Sequence, residues 1–440
     1  MRRRLRRGLL GLSVCLAVLI AWIASVLQMQ TTFAGIPVRW LLPISADGSA
    51  AIAVPIVATP ARARIPGFLD GPVVERDAAG GWRARWFCED HVQHAQVTSM
   101  RLEFDCLGNA HAYELAPAIV PDPVQAMPSR IFVLSDLEGD AGFLRAALLE
   151  LGLTDAVGAW SGKDAHLVIN GDSVDRGRDV FQVLWTLRRL QREADAAGGA
   201  VHVLTGNHEQ YLLRGIGKSV HPEHRHGLAR LGGQRAAFGK NTLIGDWLRR
   251  LPVAVRLGDI LFVHAGLSPD AAKSVAGPAA ANAVMRTYWN TLSSQPRIAR
   301  DPALDAILGE RGVTQFRGLL VRAEGSHSDG GTVLPIGETE IERSLLAWQA
   351  RRMVIAHTIM HTVHAVHGDR VWAVDVADAR LQQTVLAFSG GMPRVLRLAA
   401  RRQANDADWQ VRRAELSESS RLLWKTADEQ RQAAAIPMPY

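Results

Sequence analysis

The chain has 440 residues, 48% hydrophobic and 21% charged, a composition that excludes a mostly disordered or fibrous protein. The net charge is +7, but Arg2, Arg3, Arg4, Arg6 and Arg7 supply five of those charges, which leaves +2 over the other 433 residues. So small a balance offers no basic surface, and nucleic acid is not expected among the partners.

Residues 8–27 (GLLGLSVCLAVLIAWIASVL) contain no charge and follow five arginines. A twenty-residue helix would span about 30 Å, the thickness of a hydrocarbon core. Residues 1–30 therefore predict an N-terminal transmembrane anchor, or a signal segment. The arginines would stay in the cytoplasm, and the rest of the chain would face the periplasm or the outside from the inner membrane. Cleavage near Thr32-Phe33-Ala34 is the alternative to a retained anchor.

Residues 36–125 predict a small β-rich domain of unknown role, with short runs such as Ala50–Val57 broken by Gly, Pro and Asp. Trp82, Ala84, Trp86 and Cys88 alternate, as do Met100, Leu102, Phe104 and Cys106, so both runs read as half-buried strands. In a single direct hairpin the two cysteines would lie at opposite ends and could not bridge. An intervening strand or a different sheet could bring them together, so the pairing stays open. Pro121, Pro123 and Pro128 then mark a linker.

From residue 126 to 400 the texture is α/β. Ile131–Ser135, His166–Asn170 and Ala200–Leu204 are compact apolar runs, with helical periodicity at 141–151 and 180–192 between them. Later strand candidates are Val253–Leu257, Ile260–His264, Met353–Ala356, Arg370–Val374, Thr384–Phe388 and Arg394–Leu398. This alternation predicts βαβ units around a buried, largely parallel sheet flanked by helices. The segment 210–250 also reads as helical, and 401–440 as a polar tail.

The residues at the end of each run are chemically uniform. IFVLS leads into Asp136-Leu137-Glu138-Gly139-Asp140. HLVIN leads into Gly171-Asp172-Ser173-Val174-Asp175-Arg176-Gly177, and AVHVL into Thr205-Gly206-Asn207-His208-Glu209. The ILFV run ends at His264-Ala265-Gly266, and MVIA at His357-Thr358. Each residue alone could be a helix cap or turn. Five strands delivering Asp, Asn or His at one sheet edge point to a ligand site. Carboxylates, an amide oxygen and imidazoles suit divalent Mn, Fe, Zn or Mg, and the lack of cysteine argues against a thiolate zinc site. A neighbouring arginine suits a phosphate.

The blocks D-x-E-G-D, G-D-x-x-D-R-G, G-N-H-E, V-H-A-G and A-H-T, in this order over 131–375, resemble the calcineurin-like metallophosphoesterases. They look closest to the phosphoprotein-phosphatase type and the Shewanella-like bacterial phosphatases. The resemblance implies two divalent ions, with Mn, Mg or Fe favoured. Asp136 and Glu138 would hold the first, Asp172 would bridge, and Asn207, His264 and His357 would hold the second. It also implies His208 as general acid oriented by Asp175, and Arg176 as a phosphate ligand. Arg317, in Gln315-Phe316-Arg317-Gly318, would be a second phosphate arginine. The implied activity is hydrolysis of phosphomonoesters, on a small molecule or a phosphoprotein, by attack of a metal-bridging hydroxide. Hydrolysis of nucleotides or dinucleoside polyphosphates, or a degenerate binding protein, are the alternatives.

Two departures stand out. Glu138 occupies the place where the family has His, which makes the first ligand set all oxygen and favours Mg or Mn over Zn. The last block is Ala-His-Thr-Ile-Met-His, so His361 falls beyond the family's variant pattern and is not assigned to the site. His221, His224, His226, His364 and His367 read as solvated loop histidines.

Overall fold

The computed structural model describes residues 2–31, 37–43, 51–55, 65–291 (apart from 66, 78–79 and 218), 300–320 and 335–402. The cleavage candidate at 32–34 and the tail beyond Arg402 lie outside the described residues. The chain divides into two compact units, one of residues 1–64 with 413–440 and one of residues 65–412.

In the first unit, helix α1 (Arg2–Val26) precedes three strands, β1 (Gln28–Thr31), β2 (Pro37–Pro43) and β3 (Ala51–Pro55), paired antiparallel in that order. The expected transmembrane helix is overturned here: among the described residues no helix is long and apolar enough to cross a membrane.

The second unit opens with five strands: β4 (Leu69–Arg76), β5 (Trp82–Cys88), β6 (His91–Val97), β7 (Arg101–Cys106) and β8 (Asn109–Glu114). The first three form an antiparallel sheet and the last two a separate hairpin. Because β6 intervenes and β7 belongs to the other sheet, Cys88 and Cys106 meet, with Cα atoms 6.0 Å apart, and form a disulfide. Trp86 stacks on Phe104 across the same junction, with ring centroids 3.9 Å apart.

Two larger sheets complete the unit. Their strands are β9 (Val124–Gln125), β10 (Arg130–Leu134), β11 (His166–Ile169), β12 (Ala200–Val203), β13 (Ala254–Leu257), β14 (Ile260–Val263), β15 (Arg352–Ile355), β16 (His364–Val366), β17 (Val371–Ala373), β18 (Thr384–Ser389) and β19 (Met392–Arg397). The first sheet has the order β12-β11-β10-β18-β19, and the second β16-β17-β15-β14-β13-β9. This corrects the expectation of one largely parallel sheet. β10, β11 and β12 are parallel, but β18 and β19 add antiparallel strands at one side, and in the other sheet β13 runs against β14 and β16 against β17. The β18–β19 hairpin turns on Gly390 and Gly391, with φ of 55° and 79°, the two left-handed positions a type I′ turn requires.

Both sheets contribute to one apolar core: Ile131, Val133, Val168, Leu386 and Phe388 from the first, and Val255, Ile260, Phe262 and Val354 from the second. Burial on both faces is why these strands read as continuous apolar runs. The buried amide of Asn170, just past β11, ties the sheets together by donating to Val263 O at 3.0 Å and Val354 O at 3.2 Å.

Helices α2 (Ala141–Glu150) and α3 (Val180–Ala196) come after β10 and β11. Asp140 caps α2, its carboxylate accepting from Phe143 N at 2.8 Å. The segment 210–250, expected to be helical, holds most of α4, which starts earlier (Asn207–Arg214), with α5 (Pro222–Arg230), α6 (Gln234–Ala237) and α7 (Leu243–Arg250). The β4–β8 segment packs onto this layer. Trp185 of α3 donates to Pro72 O at 3.1 Å, Arg188 donates to Glu114 O at 3.0 Å, and buried Asp70 pairs with His224 of α5 at 2.9 Å.

Candidate metal centre and acid dyad

The C-terminal ends of β10, β11, β12, β14 and β15 deliver the site residues, but they do so from two sheets rather than one edge. The inter-sheet amide of Asn170 explains the convergence, since it binds the last residue of β14 and the middle of β15. Its own carbonyl accepts from His264 Nδ1 at 2.8 Å, which turns Nε2 of that ring inward. There Nε2 lies 3.1 Å from Asp172 Oδ2 and 3.0 Å from Asn207 Oδ1. His357 stands edge-on to His264, with ring centroids 5.1 Å apart. One ligand atom from each of Asp172, His264 and His357 lies within 4.8 Å of the others, and all three residues are buried.

Glycines make the approach possible. A Cβ on Gly171 would come within 2.5 Å of His264 Nδ1, and one on Gly206 would run into the Asp172 carboxylate. Backbone strain clusters here too. Among the described residues, six of the eleven non-glycine residues with left-handed φ are Asp136, Glu138, Asp172, Asp175, Arg176 and His357. Such strain persists only where surrounding structure over-determines it, and it collects at functional sites.

Electrostatics separates the residues into distinct roles. Burial opposes ionisation of Asp172, but His264 and His208 outweigh it and hold this carboxylate below the usual range. Burial would lower His264, yet the Asp172 carboxylate raises it to about 10. Its inward nitrogen thus carries a proton that a cation would displace. His357 goes the other way: burial and the neighbouring His264 charge hold it well below its ordinary value, as a neutral imidazole able to ligate.

The first half of the site is carboxylate-rich. Asp136 is buried, its Oδ2 accepts no hydrogen bond, and burial together with Asp375, Asp172 and Glu138 raises its pKa well above the ordinary value. Glu138 is buried and bound to Arg176 by a short ion pair, and burial pushes it up to about 7 against the pull of that arginine. Acids that crowd and raise one another, with an unpaired buried oxygen among them, fit a divalent cation, whose charge would relieve both the repulsion and the desolvation. Asn207, beside His264, completes an N/O donor set at the other half.

His208 begins α4 with Asn207. Its Nδ1 lies 2.8 Å from Asp175 Oδ2, its backbone N–H donates to Asp172 Oδ1 at 2.9 Å, and Tyr211 packs edge-on at 5.4 Å. Burial would lower its pKa, but the Asp172 and Asp175 carboxylates prevail and raise it. Arg317 donates to His357 O at 3.1 Å and Thr358 Oγ1 at 3.0 Å. The structure therefore links both expected arginines to the cluster, Arg176 through Glu138 and Arg317 through His357.

Four further residues support the site without standing out in the sequence. Glu209 accepts from Gly206 N at 2.7 Å, Asp172 N at 3.0 Å and Ser173 N at 2.7 Å, locking two site loops together. Burial and Asp172 push Glu209 up to about 7. Its place in G-N-H-E is the signal that could have found it. Asp375 comes after β17 as the other site residues come after their strands, and the same pattern points to it. Asn170 looks like an ordinary turn residue. Arg402, expected in the polar tail, instead docks behind Asp136. The histidines also need correction: His221, His224 and His226 are buried among the helices rather than solvated, while His361 is exposed.

Comparison with known proteins agrees with this geometry. The calcineurin-like phosphoesterase profile matches residues 129–328. The chain is 38% identical to Shewanella-like protein phosphatase 2 of Arabidopsis thaliana over 88 residues, 20% of this chain and 22% of that one. It is 30% identical to the symmetrical bis(5'-nucleosyl)-tetraphosphatase of Janthinobacterium sp. (strain Marseille) over 206 residues, 45% of this chain and 68% of that one. For three curated relatives, the plant phosphatase among them, the match spans less than half of the relative's length. Among solved structures, the cold-active protein-tyrosine phosphatase of a psychrophile Shewanella sp. superposes with a TM-score of 0.66 at 26% identity, covering 75% of this chain and 96% of that one. With the ligand-bearing loops, the acid dyad and these matches in agreement, the chain belongs to the calcineurin-like phosphoesterase family.

Proposed function

We propose that this protein is a metal-dependent phosphoesterase that hydrolyses phosphomonoesters in the manner of a phosphoprotein phosphatase. The observation that carries this reading is the buried Asp172–His264–His357 cluster set against the His208–Asp175 dyad. Two divalent ions, Mn, Mg or Fe, would be held by Asp136, Glu138 and Asp172 on one side and by Asp172, Asn207, His264 and His357 on the other. When bound, such ions supply Lewis acidity to the phosphoryl oxygens and lower the pKa of water.

The chain's own residues do the remaining work. Asp175 takes the Nδ1 proton of His208 as a hydrogen bond and fixes the ring, so that Nε2 can give its proton to the leaving oxygen. The guanidinium groups of Arg176 and Arg317 bind the non-reacting phosphate oxygens. Glu138 serves two partners, because the carboxylate expected at the metal is paired with Arg176. Ligation there requires that pair to loosen, which frees the arginine for phosphate.

The names of the plant and Shewanella relatives support a phosphoprotein substrate. A second reading, cleavage of dinucleoside polyphosphates, is favoured by the coverage of 68% on the tetraphosphatase relative. The test is a screen of the chelator-stripped protein against phosphopeptides, aryl phosphates, nucleotides and dinucleoside polyphosphates. Activity is expected to return with Mn or Mg more than with Zn, and Glu138→His is expected to shift preference toward Zn or Fe. No hydrolysis with any metal would leave a degenerate binding protein. A disulfide in the second unit supports residence outside the reducing cytoplasm, and a C-terminal reporter active only after export would test that placement.

A further inference from the structure

We propose that Arg402 is a positioning residue, whose guanidinium clamps the consecutive carbonyls of Ser135 and Asp136 and so fixes the Asp136 carboxylate at the first metal position. This rests on the metal-dependent reading above and adds to it a residue from the far end of the domain.

The geometry behind the proposal is a three-way anchorage. Nη1 donates to Asp136 O, Nη2 donates to Ser135 O at 3.0 Å, and Nε donates to Gln383 Oε1 at 3.0 Å. The guanidinium plane also covers the Phe143 ring, 4.5 Å from its centroid, at the start of α2. Three of the five N–H donors of the fork are thus assigned to fixed elements, two just past the end of β10 and one at the residue before β18, while its face packs on the first turn of α2. The target needs such support. Asp136 holds a left-handed φ of 46°, and its neighbour Ser135 is tied to the second sheet by a hydrogen bond from Oγ to Val374 O at 3.2 Å. A non-glycine residue in that conformation relaxes unless its surroundings hold it. A charged donor on two successive carbonyls does this, and a planar fork does it better than a point charge.

The charge has a second effect. It offsets part of the carboxylate repulsion without entering the ligand set, as outer partners of metal ligands do.

The test uses the 440-residue chain with Arg402→Ala, Arg402→Lys and, as control, Arg401→Ala, whose side chain donates to Gln382 and Leu398 O among the described residues. Hydrogen exchange of the metal-free proteins is read over residues 131–140, and Mn binding is read by titration calorimetry. Arg402→Ala is expected to exchange faster over 135–140 and to bind one Mn about 10–100-fold more weakly, with the second Mn little changed. Arg402→Lys keeps charge but cannot span both carbonyls, and is expected to fall between alanine and wild type. Added guanidinium ion is expected to restore part of the Mn affinity of the alanine variant. Unchanged exchange and unchanged Mn affinity in both variants would overturn the proposal. If the alanine variant does not fold, the lysine variant decides by the same two readouts. If wild type binds no metal, the metal-dependent reading fails on its own, and the exchange comparison still decides whether Arg402 holds the loop.

Discussion

Asp172→Ala is expected to lower the rate constant for hydrolysis by at least about 10³-fold, a barrier rise of about 4 kcal/mol, and to reduce metal content below one equivalent per chain. The Asp172 side chain is tied to several parts of the site. Its carboxylate contacts His264 Nε2, accepts from His208 N, and lies among the acids that raise Asp136. Removing it takes a ligand from both proposed metal positions and strips the charge that keeps His264 and His208 above their ordinary pKa values. Asp172→Asn keeps the volume and one oxygen, and is expected to retain more metal than alanine. Elemental analysis after dialysis, paired with single-turnover rates, is the measurement. Two bound metals and more than a tenth of the activity in Asp172→Ala would exclude this central role.

The second large effect falls on proton transfer. His208→Ala is expected to lose about 10²–10⁴-fold on alkyl phosphates, whose alkoxide leaves poorly without a proton, and much less on an activated aryl phosphate. Metal content should survive, since the proposed ligand set does not use this ring. The pH dependence gives an independent check. The folded-state pKa of His208 is raised, so the ring is protonated and competent below that value and loses its proton as pH rises through it. Asp175→Asn removes one of the two carboxylates that raise it, and the alkaline limb of the rate profile should move to lower pH. Equal losses on alkyl and aryl substrates, or an alkaline limb unmoved by Asp175→Asn, would take the acid role away from His208.

Much of the site behind these expectations is legible in the amino-acid sequence. Asp136, Asp172, Asn207, His264 and His357 are visible because each terminates an apolar run at an abrupt polar step, and the fold does bring them together. The partner of Glu138 is not visible. Its departure from the family pattern can be read in sequence, but the ion pair with Arg176 depends on two loops leaving two different strands. Asp375 obeys the same strand-end rule, directly after the expected strand Arg370–Val374, but it belongs to none of the family's blocks. Glu209 and Asn170 look like routine cap and turn residues, and their importance comes from the backbone N–H groups of Asp172 and Ser173 and from two strand carbonyls, all remote in sequence.

The local sequence alone determined most strands of the two larger sheets, the helical segment 210–250, and the chemistry waiting at the strand ends. Those properties depend on side-chain periodicity and glycine placement over a few residues. Only the tertiary structure decided that the strands split between two mixed sheets, that Cys88 reaches Cys106 across a sheet boundary, and that Arg402 returns to Asp136 from 266 positions away. Periodicity reports how deeply a strand is buried but not which strand lies beside it, because the same apolar face satisfies either sheet. Pairing is chosen by side-chain packing and by long-range polar contacts such as the Asn170 amide, which have no local signature.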